Sequence, residues 1–316
     1  MKAINIPVII LASSIATLAH PTSSIIKRNE KDCKTKITDI DILQYALTLE
    51  HLEDKFYREG LAKFQLKDFQ DAGFDDIFYK NLKEVSYDET THVSFLTGAI
   101  KGLGASPVAE CTYAFGVTDV KSFIAIASIL EGVGVSAYLG AAASIVDKTY
   151  LTAAASILTV ESRHSSYLRA AQDQSPFPQP FDAPLNFDEV YTLAAPFIKS
   201  CPKSNGKLPV KAFPGLSVDA KATPKVATNS QITLDLKAAI THPKKDTKYY
   251  AAWMSVTGPT FVPATLVGNN RFTTTVPVGF HGQSYVVITK DGKKVTDDTV
   301  LAGPAIVEVQ GASGSP

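Results

Sequence analysis

A chain of 316 residues is long enough for two domains, and its 31 basic side chains balance its 31 acidic ones. No long-range field therefore argues for nucleic acid or an anionic membrane as a partner, and binding has to rest on local sites. The sequence also holds no nucleophile elbow, phosphate-binding loop or dinucleotide fingerprint.

The chain opens with MKAINIPVIILASSIATLAH, a lysine, an apolar run and small residues suited to cleavage. This reads as a signal peptide over 1–19, followed by a mobile segment over 20–37. No later stretch reads as long and apolar enough to span a bilayer, so the mature protein is expected to be soluble and secreted. Three cysteines, Cys33, Cys111 and Cys201, allow three pairings in an oxidising compartment. Cys111 and Cys201 each follow a helical segment, which favours that pair and leaves Cys33 over.

Four long segments carry the helical apolar period, at about 39–64, 76–103, 120–145 and 150–172. A shorter fifth helix is expected in NFDEVYTLAAPFI, capped by Asn186 and limited by Pro196. The first and third connections are short, so each flanking pair is an antiparallel hairpin. The middle connection, 104–120, reaches about 55 Å when extended and can run the length of a bundle. The helical domain is placed at 38–202.

After Cys201 the texture changes to short β-branched runs: SQITLDLKA, KYYAAWMSV, RFTTTVPV, SYVVITK, KKVTDDTVL and AIVEVQ. Asp291-Gly292 is placed at a hairpin turn between the fourth and fifth runs. These runs suggest a small immunoglobulin-like β-sandwich over 207–316, making the chain an α + β protein of two domains.

The candidate chemistry lies in the helices. ETTHVSFL, beginning at Glu89, recurs as ESRHSSYL, beginning at Glu161. Residues three apart share a helix face, so Glu89 with His92, and Glu161 with His164, each aim a carboxylate and an imidazole at one point. Both pairs stand in apolar stripes, where a carboxylate must be paired, protonated or bound to a cation. The other two long helices contribute LEHLEDKFY and LEGVGVSAY, placing Glu50 two turns before Tyr57 and Glu131 two turns before Tyr138. Glu131 is the sole carboxylate between Asp119 and Asp147. Glu53 is an alternative to Glu50, or an addition to it; the matching Glu-to-Tyr offset favours Glu50. Tyr57 and Tyr138 suit positions that orient ligands by hydrogen bonds.

One Glu from each of two helices and a Glu-x-x-His from each of two others resembles the ligand set of ferritin-like di-iron and di-manganese carboxylate bundles, which share the single long crossover. Four carboxylates and two imidazoles without thiolates suit Fe or Mn. Residues 38–202 are similar to secreted ferritin-like proteins of the fungal Rds1-type stress-response and desiccation-related family. The segments carrying the resemblance are LEHLEDKFY, DETTHVSFL, ECTYAF, LEGVGVSAYLGAA, ESRHSSYLR and SPFPQPFDAPLNFDEVY. The resemblance implies a ferritin-like four-helix bundle with one long crossover and a two-ion site at Glu50, Glu89, His92, Glu131, Glu161 and His164.

Two functions follow from different classes. One is a metal-dependent oxidoreductase or ferroxidase-like protein acting on dioxygen or peroxide. The other is a non-catalytic secreted stress, cell-wall or host-interaction protein, with the bundle as scaffold and the C-terminal domain making the contacts.

Overall fold

The computed structural model describes residues 37–223, 225–240 and 247–313. The expected signal peptide over 1–19, nearly all of the segment 20–37, and Cys33 lie outside them. Helix α1 spans Asp39–Lys63, a short α2 spans Leu66–Asp71, and α3 spans Asp76–Gly102. Helices α4 and α5 span Val120–Ala142 and Lys148–Ala170, and a short α6 spans Phe187–Ala194. All but α2 start where the sequence offers a side-chain cap: the side chain of Thr38 accepts from the Asp41 amide, Asp75 from Phe78, Asp119 from Ser122, Asp147 from Thr149 and Asn186 from Glu189.

Helix α1 packs on α3 and α4 on α5, as the short connections require. The crossover between α3 and α4 lies along α1 and is held there turn by turn. The Gln44 side chain donates to the Ser106 carbonyl at 2.7 Å and accepts from the Val108 amide at 2.8 Å. His51 Nε2 meets the Val108 carbonyl at 3.1 Å, Arg58 pairs with Glu110, and Lys63 Nζ donates to the Val117 carbonyl at 2.8 Å. Gln44, His51 and Arg58 recur at the seven-residue spacing that keeps one helix face, so one edge of α1 grips the whole crossover. Within the crossover β1 (Thr112–Tyr113) pairs with β2 (Ile198–Ser200), and the adjacent Cys111–Cys201 disulfide ties the two segments covalently.

Helix α4 is apolar and long enough, by composition, to cross a membrane. The expectation that no such stretch follows residue 19 therefore needs correction. The physical reason is its place in the bundle: Phe123, Ile124, Ala127, Leu130 and Val133 are all buried against neighbouring elements. A core helix surrounded on most sides needs no polar face.

The C-terminal part is β-rich. Strands β3 (Leu216–Val218), β4 (Gln231–Leu236), β5 (Tyr249–Trp253), β6 (Thr260–Val267), β7 (Arg271–Thr275), β8 (Gly282–Thr289) and β9 (Val300–Val309) form one antiparallel sheet in the order β3-β4-β7-β6-β5-β8-β9. The sheet curls around Trp253, Phe272 and Tyr249, and its ends approach where the Gly303 amide donates to the Pro214 carbonyl at 2.9 Å. The result is a sheet nearly closed into a barrel. Two sequence readings change. KKVTDDTVL is not a separate strand: 290–299 is an irregular connection, and Val300 begins one long strand that absorbs AIVEVQ. Strand β6 was not foreseen, because Pro263 and an outward-facing, largely exposed pattern mask it.

The β-rich part sits on the bundle through β8. Tyr285 Oη donates to the Gly132 carbonyl at 2.7 Å, and Gln283 Nε2 to the Ile129 carbonyl at 3.1 Å. A Cβ at Gly132 would meet the Gln283 amide group at 2.6 Å, so glycine leaves the room in which that amide reaches the Ile129 carbonyl. The Arg169 guanidinium adds a bidentate pair to Glu308 at 3.0 and 2.8 Å.

Candidate metal centre

Midway along the bundle, between the aromatic cluster of Phe56, Phe69 and Phe123 and the aliphatic cluster of Leu43, Leu47 and Leu96, lies a polar layer. Glu50 comes from α1, Glu89 and His92 from α3, Glu131 from α4, and Glu161 and His164 from α5; the four carboxylates are fully buried. Their ligand atoms fall into two groups, each within 4.8 Å: Glu50, Glu89, His92 and Glu161, and Glu89, Glu131, Glu161 and His164. Glu89 and Glu161 belong to both, so the groups share an edge.

Distances show how the sharing works. His92 Nδ1 is 3.2 Å from Glu89 Oε2, 3.3 Å from Glu50 Oε2 and 3.4 Å from Glu161 Oε1. His164 Nδ1 is 3.0 Å from the other oxygen of Glu89, Oε1, and 3.3 Å from Glu131 Oε2. Glu89 thus presents one oxygen to each imidazole.

Tyrosines hold the outer faces of the terminal carboxylates. Tyr57 of α1 donates to Glu131 Oε1, and Tyr138 of α4 donates to Glu50 Oε1. Burial, with the neighbouring Glu131 and Glu50 carboxylates, pushes both phenols well above their ordinary range, which keeps them protonated and donating. Each carboxylate then turns its second oxygen inward.

Apart from the imidazole contacts just given, none of which is aligned as a hydrogen bond for these atoms, the inward set has no partner: Glu50 Oε2, Glu89 Oε1, Glu131 Oε2, both oxygens of Glu161, and His164 Nδ1. Orphaned buried carboxylate oxygens are costly. Converging on two common points, with two imidazole nitrogens, they form the donor set of a hard or borderline cation. Charge agrees, because two divalent cations balance four carboxylates. The residues therefore fit the metal pair that the resemblance implies.

Without cations, protons take their place. Burial pushes Glu161 well above the usual carboxylate range, with Glu89 and Glu131 adding repulsion, and pushes Glu89 up to about 7. Burial alone would lower His164, but the Glu131 and Glu89 carboxylates outweigh it and push it up to about 11. His92 is raised in the same way by Glu161, Glu50 and Glu89.

Of the alternatives Glu50 and Glu53, Glu50 lies with His92. Glu53 is buried at the edge: its Oε1 and Glu161 Oε2 lie 3.1 and 3.0 Å from where a Gly134 side chain would begin. Two residues escaped the sequence reading. Asp88 Oδ2 is 3.1 Å from His164 Nε2, an acceptor that holds a proton on Nε2 and so would leave Nδ1 as the nitrogen to meet a cation. Val160 holds the matching place before Glu161, so the duplication that revealed the ligands could not reveal Asp88. Gly134 gives the room that Glu53 and Glu161 occupy; it sits one turn after Glu131 in LEGVGVSAY, a run whose small residues are the only hint.

The model of a ferritin-like domain matches residues 38–174. The chain is 24% identical to protein rds1 of Schizosaccharomyces pombe over 326 aligned residues, which cover 85% of this chain and 80% of that protein. The similarity extends past the bundle into the β-rich part. Residues 38–174 thus form a ferritin-like helical domain, a β-rich domain follows it, and the chain as a whole is similar to a protein of the Rds1 type.

Proposed function

We propose that this protein is a secreted di-metal carboxylate protein, holding two Fe or Mn ions at Glu50, Glu89, His92, Glu131, Glu161 and His164, with redox or ferroxidase-like activity related to stress. The observation that carries the reading is the convergence of unpartnered carboxylate oxygens and imidazole nitrogens on two points that share Glu89 and Glu161. The shared carboxylates suit a bridging role; Glu50 with His92, and Glu131 with His164, suit the two ends.

Bound Fe or Mn would supply one-electron redox chemistry toward dioxygen or peroxide. The chain's own groups prepare the place. Tyr57 and Tyr138 fix the terminal carboxylates, Asp88 fixes His164, and the apolar layers above and below keep bulk water out. The disulfide supports an oxidising compartment, and with it secretion. The strand order, with β6 paired to β5 over one half and to β7 over the other, supports the immunoglobulin-like reading of the C-terminal domain.

Metal analysis after anaerobic loading with Fe(II) or Mn(II) tests the site, with about two tightly held ions per chain expected. Oxygen uptake on adding Fe(II) tests the chemistry. Uptake no faster than in a Glu89→Ala, Glu161→Ala double variant that still folds would reduce the reading to passive metal binding.

A further inference from the structure

The bundle and the β-rich domain do not close fully against each other. Between α1, α4, the segment 193–197 and the β3 and β9 strands lies an open cleft of about 370 Å³. Its walls are apolar, with Leu52, Val133, Leu193, Phe197, Val218 and Ile306 among them. A volume of this size, with mostly apolar walls and a few polar groups, is what small-molecule sites offer.

The polar groups are unevenly placed. Glu53, 4% exposed, lines the inner wall beside Gly134, and Gly134 is what separates the cleft from Glu161: Glu161 Oε2 lies 3.0 Å from the missing Cβ. At the solvent side stand Lys237 and Ser217, both exposed. The Lys237 stem lies over Gly215, within 2.7 Å of where a side chain there would begin, so glycine lets the lysine lie flat along the rim. Among the described residues Lys237 has no carboxylate partner. A second, narrower cavity of about 40 Å³ between α1, α3, α4 and α5 meets the same inner wall, sharing Leu49, Glu53 and Gly134. Both openings thus meet at Glu53 and Gly134, and the Gly134 Cβ position lies 3.0 Å from Glu161 of the carboxylate layer.

We infer that the cleft binds a small amphipathic acid, its apolar body between the bundle and the β-rich domain and its anionic group on Lys237, with the far end of the molecule against Gly134 and the carboxylate layer. The cationic rim selects an anion, the apolar walls select a hydrocarbon or aromatic body, and the single-glycine wall places the buried end beside the candidate metal centre. The ligand site stands on the cleft alone; its role as the seat of a substrate rests on the metal reading above.

The test is calorimetric titration of the metal-free full chain with decanoate, decanol and decylammonium. Decanoate is expected to bind saturably, roughly threefold to fivefold tighter than decanol, the margin of an exposed ion pair. Lys237→Met is expected to erase that preference while keeping decanol binding, and Ser217→Trp, which plugs the rim, to abolish both. No saturable binding of decanoate, binding unchanged in Ser217→Trp, or a preference for decylammonium would overturn the proposal. Because these titrations need no metal, and the metal content of the same preparations is measured separately, failure of the cleft and failure of the metal centre are told apart.

Discussion

The Tyr57 hydroxyl on α1 donates to the Glu131 carboxylate on α4, and the return bond, Tyr138 on α4 to Glu50 on α1, completes a reciprocal exchange across the helix pair. The sequence places each tyrosine on one face with the glutamate of its own helix. The structure pairs each with the glutamate of the other, because α1 and α4 lie side by side with each tyrosine level with the acid of its neighbour. Tyr57→Phe and Tyr138→Phe are expected to leave the fold intact while weakening metal affinity roughly 10- to 100-fold each. Competition with a chelator of known affinity measures this, and unchanged affinity in both would mean that the tyrosines merely fill the core.

Gly134 offers a test by sign. In an ordinary helix interior, glycine to alanine stabilises by about 1 kcal/mol. At Gly134 the new methyl would meet Glu161 Oε2 at 3.0 Å and Glu53 Oε1 at 3.1 Å. Gly134→Ala is therefore expected to destabilise by about 1–3 kcal/mol and to lower metal content. Denaturant midpoints and metal analysis read both; a stabilised, fully loaded variant would show that the space at Gly134 is not needed.

Glu189, away from the centre, carries a pH dependence. Burial pushes its carboxyl up to about 7, with Asp297 and Asp188 adding repulsion against the amide of Asn186, which it accepts at 2.8 Å. A raised acid binds its proton more tightly folded than unfolded. Its contribution is therefore fully present below the ordinary glutamate range, near 4.3, and is lost as pH rises through about 7. Relative to the native chain, Glu189→Gln is expected to gain about 2–3 kcal/mol between pH 5 and pH 8, read from denaturation at the two pH values. A difference that does not change with pH would contradict it.

The crossover is fixed near its middle by the Cys111–Cys201 disulfide, which closes a loop between residues 90 positions apart. Replacing both cysteines with serine is expected to cost about 2–5 kcal/mol. The helical signal in circular dichroism should persist at low temperature, because Gln44, His51 and Lys63 still hold the crossover to α1. Loss of the helical signal would mean that the bridge organises the bundle rather than reinforcing it.

What could be read in the sequence was local or repeated. The Glu-x-x-His pairs are visible because residues three apart share a helix face, and their duplication raises them above chance. The four long helices follow from apolar period and caps; their expected extents run one to three residues past the observed C-terminal ends, and the fourth begins two residues earlier than expected. What escaped depends on contacts between elements. Asp88 acts on a histidine from another helix, Gly134 acts by the side chain it lacks, and the cleft exists only where two domains meet. Strand β6 escaped for a different reason: Pro263 sits inside it, and a strand shared between two partners need not alternate cleanly.

The central claim is that the buried carboxylate layer holds two cations at defined places. The most direct measurement is an anomalous difference map, at the iron or manganese edge, from crystals of the metal-loaded protein. Two peaks are expected, one among Glu50, Glu89, His92 and Glu161 and one among Glu89, Glu131, Glu161 and His164. A loaded crystal with no peak in that layer, or with its metal bound elsewhere, would contradict the account.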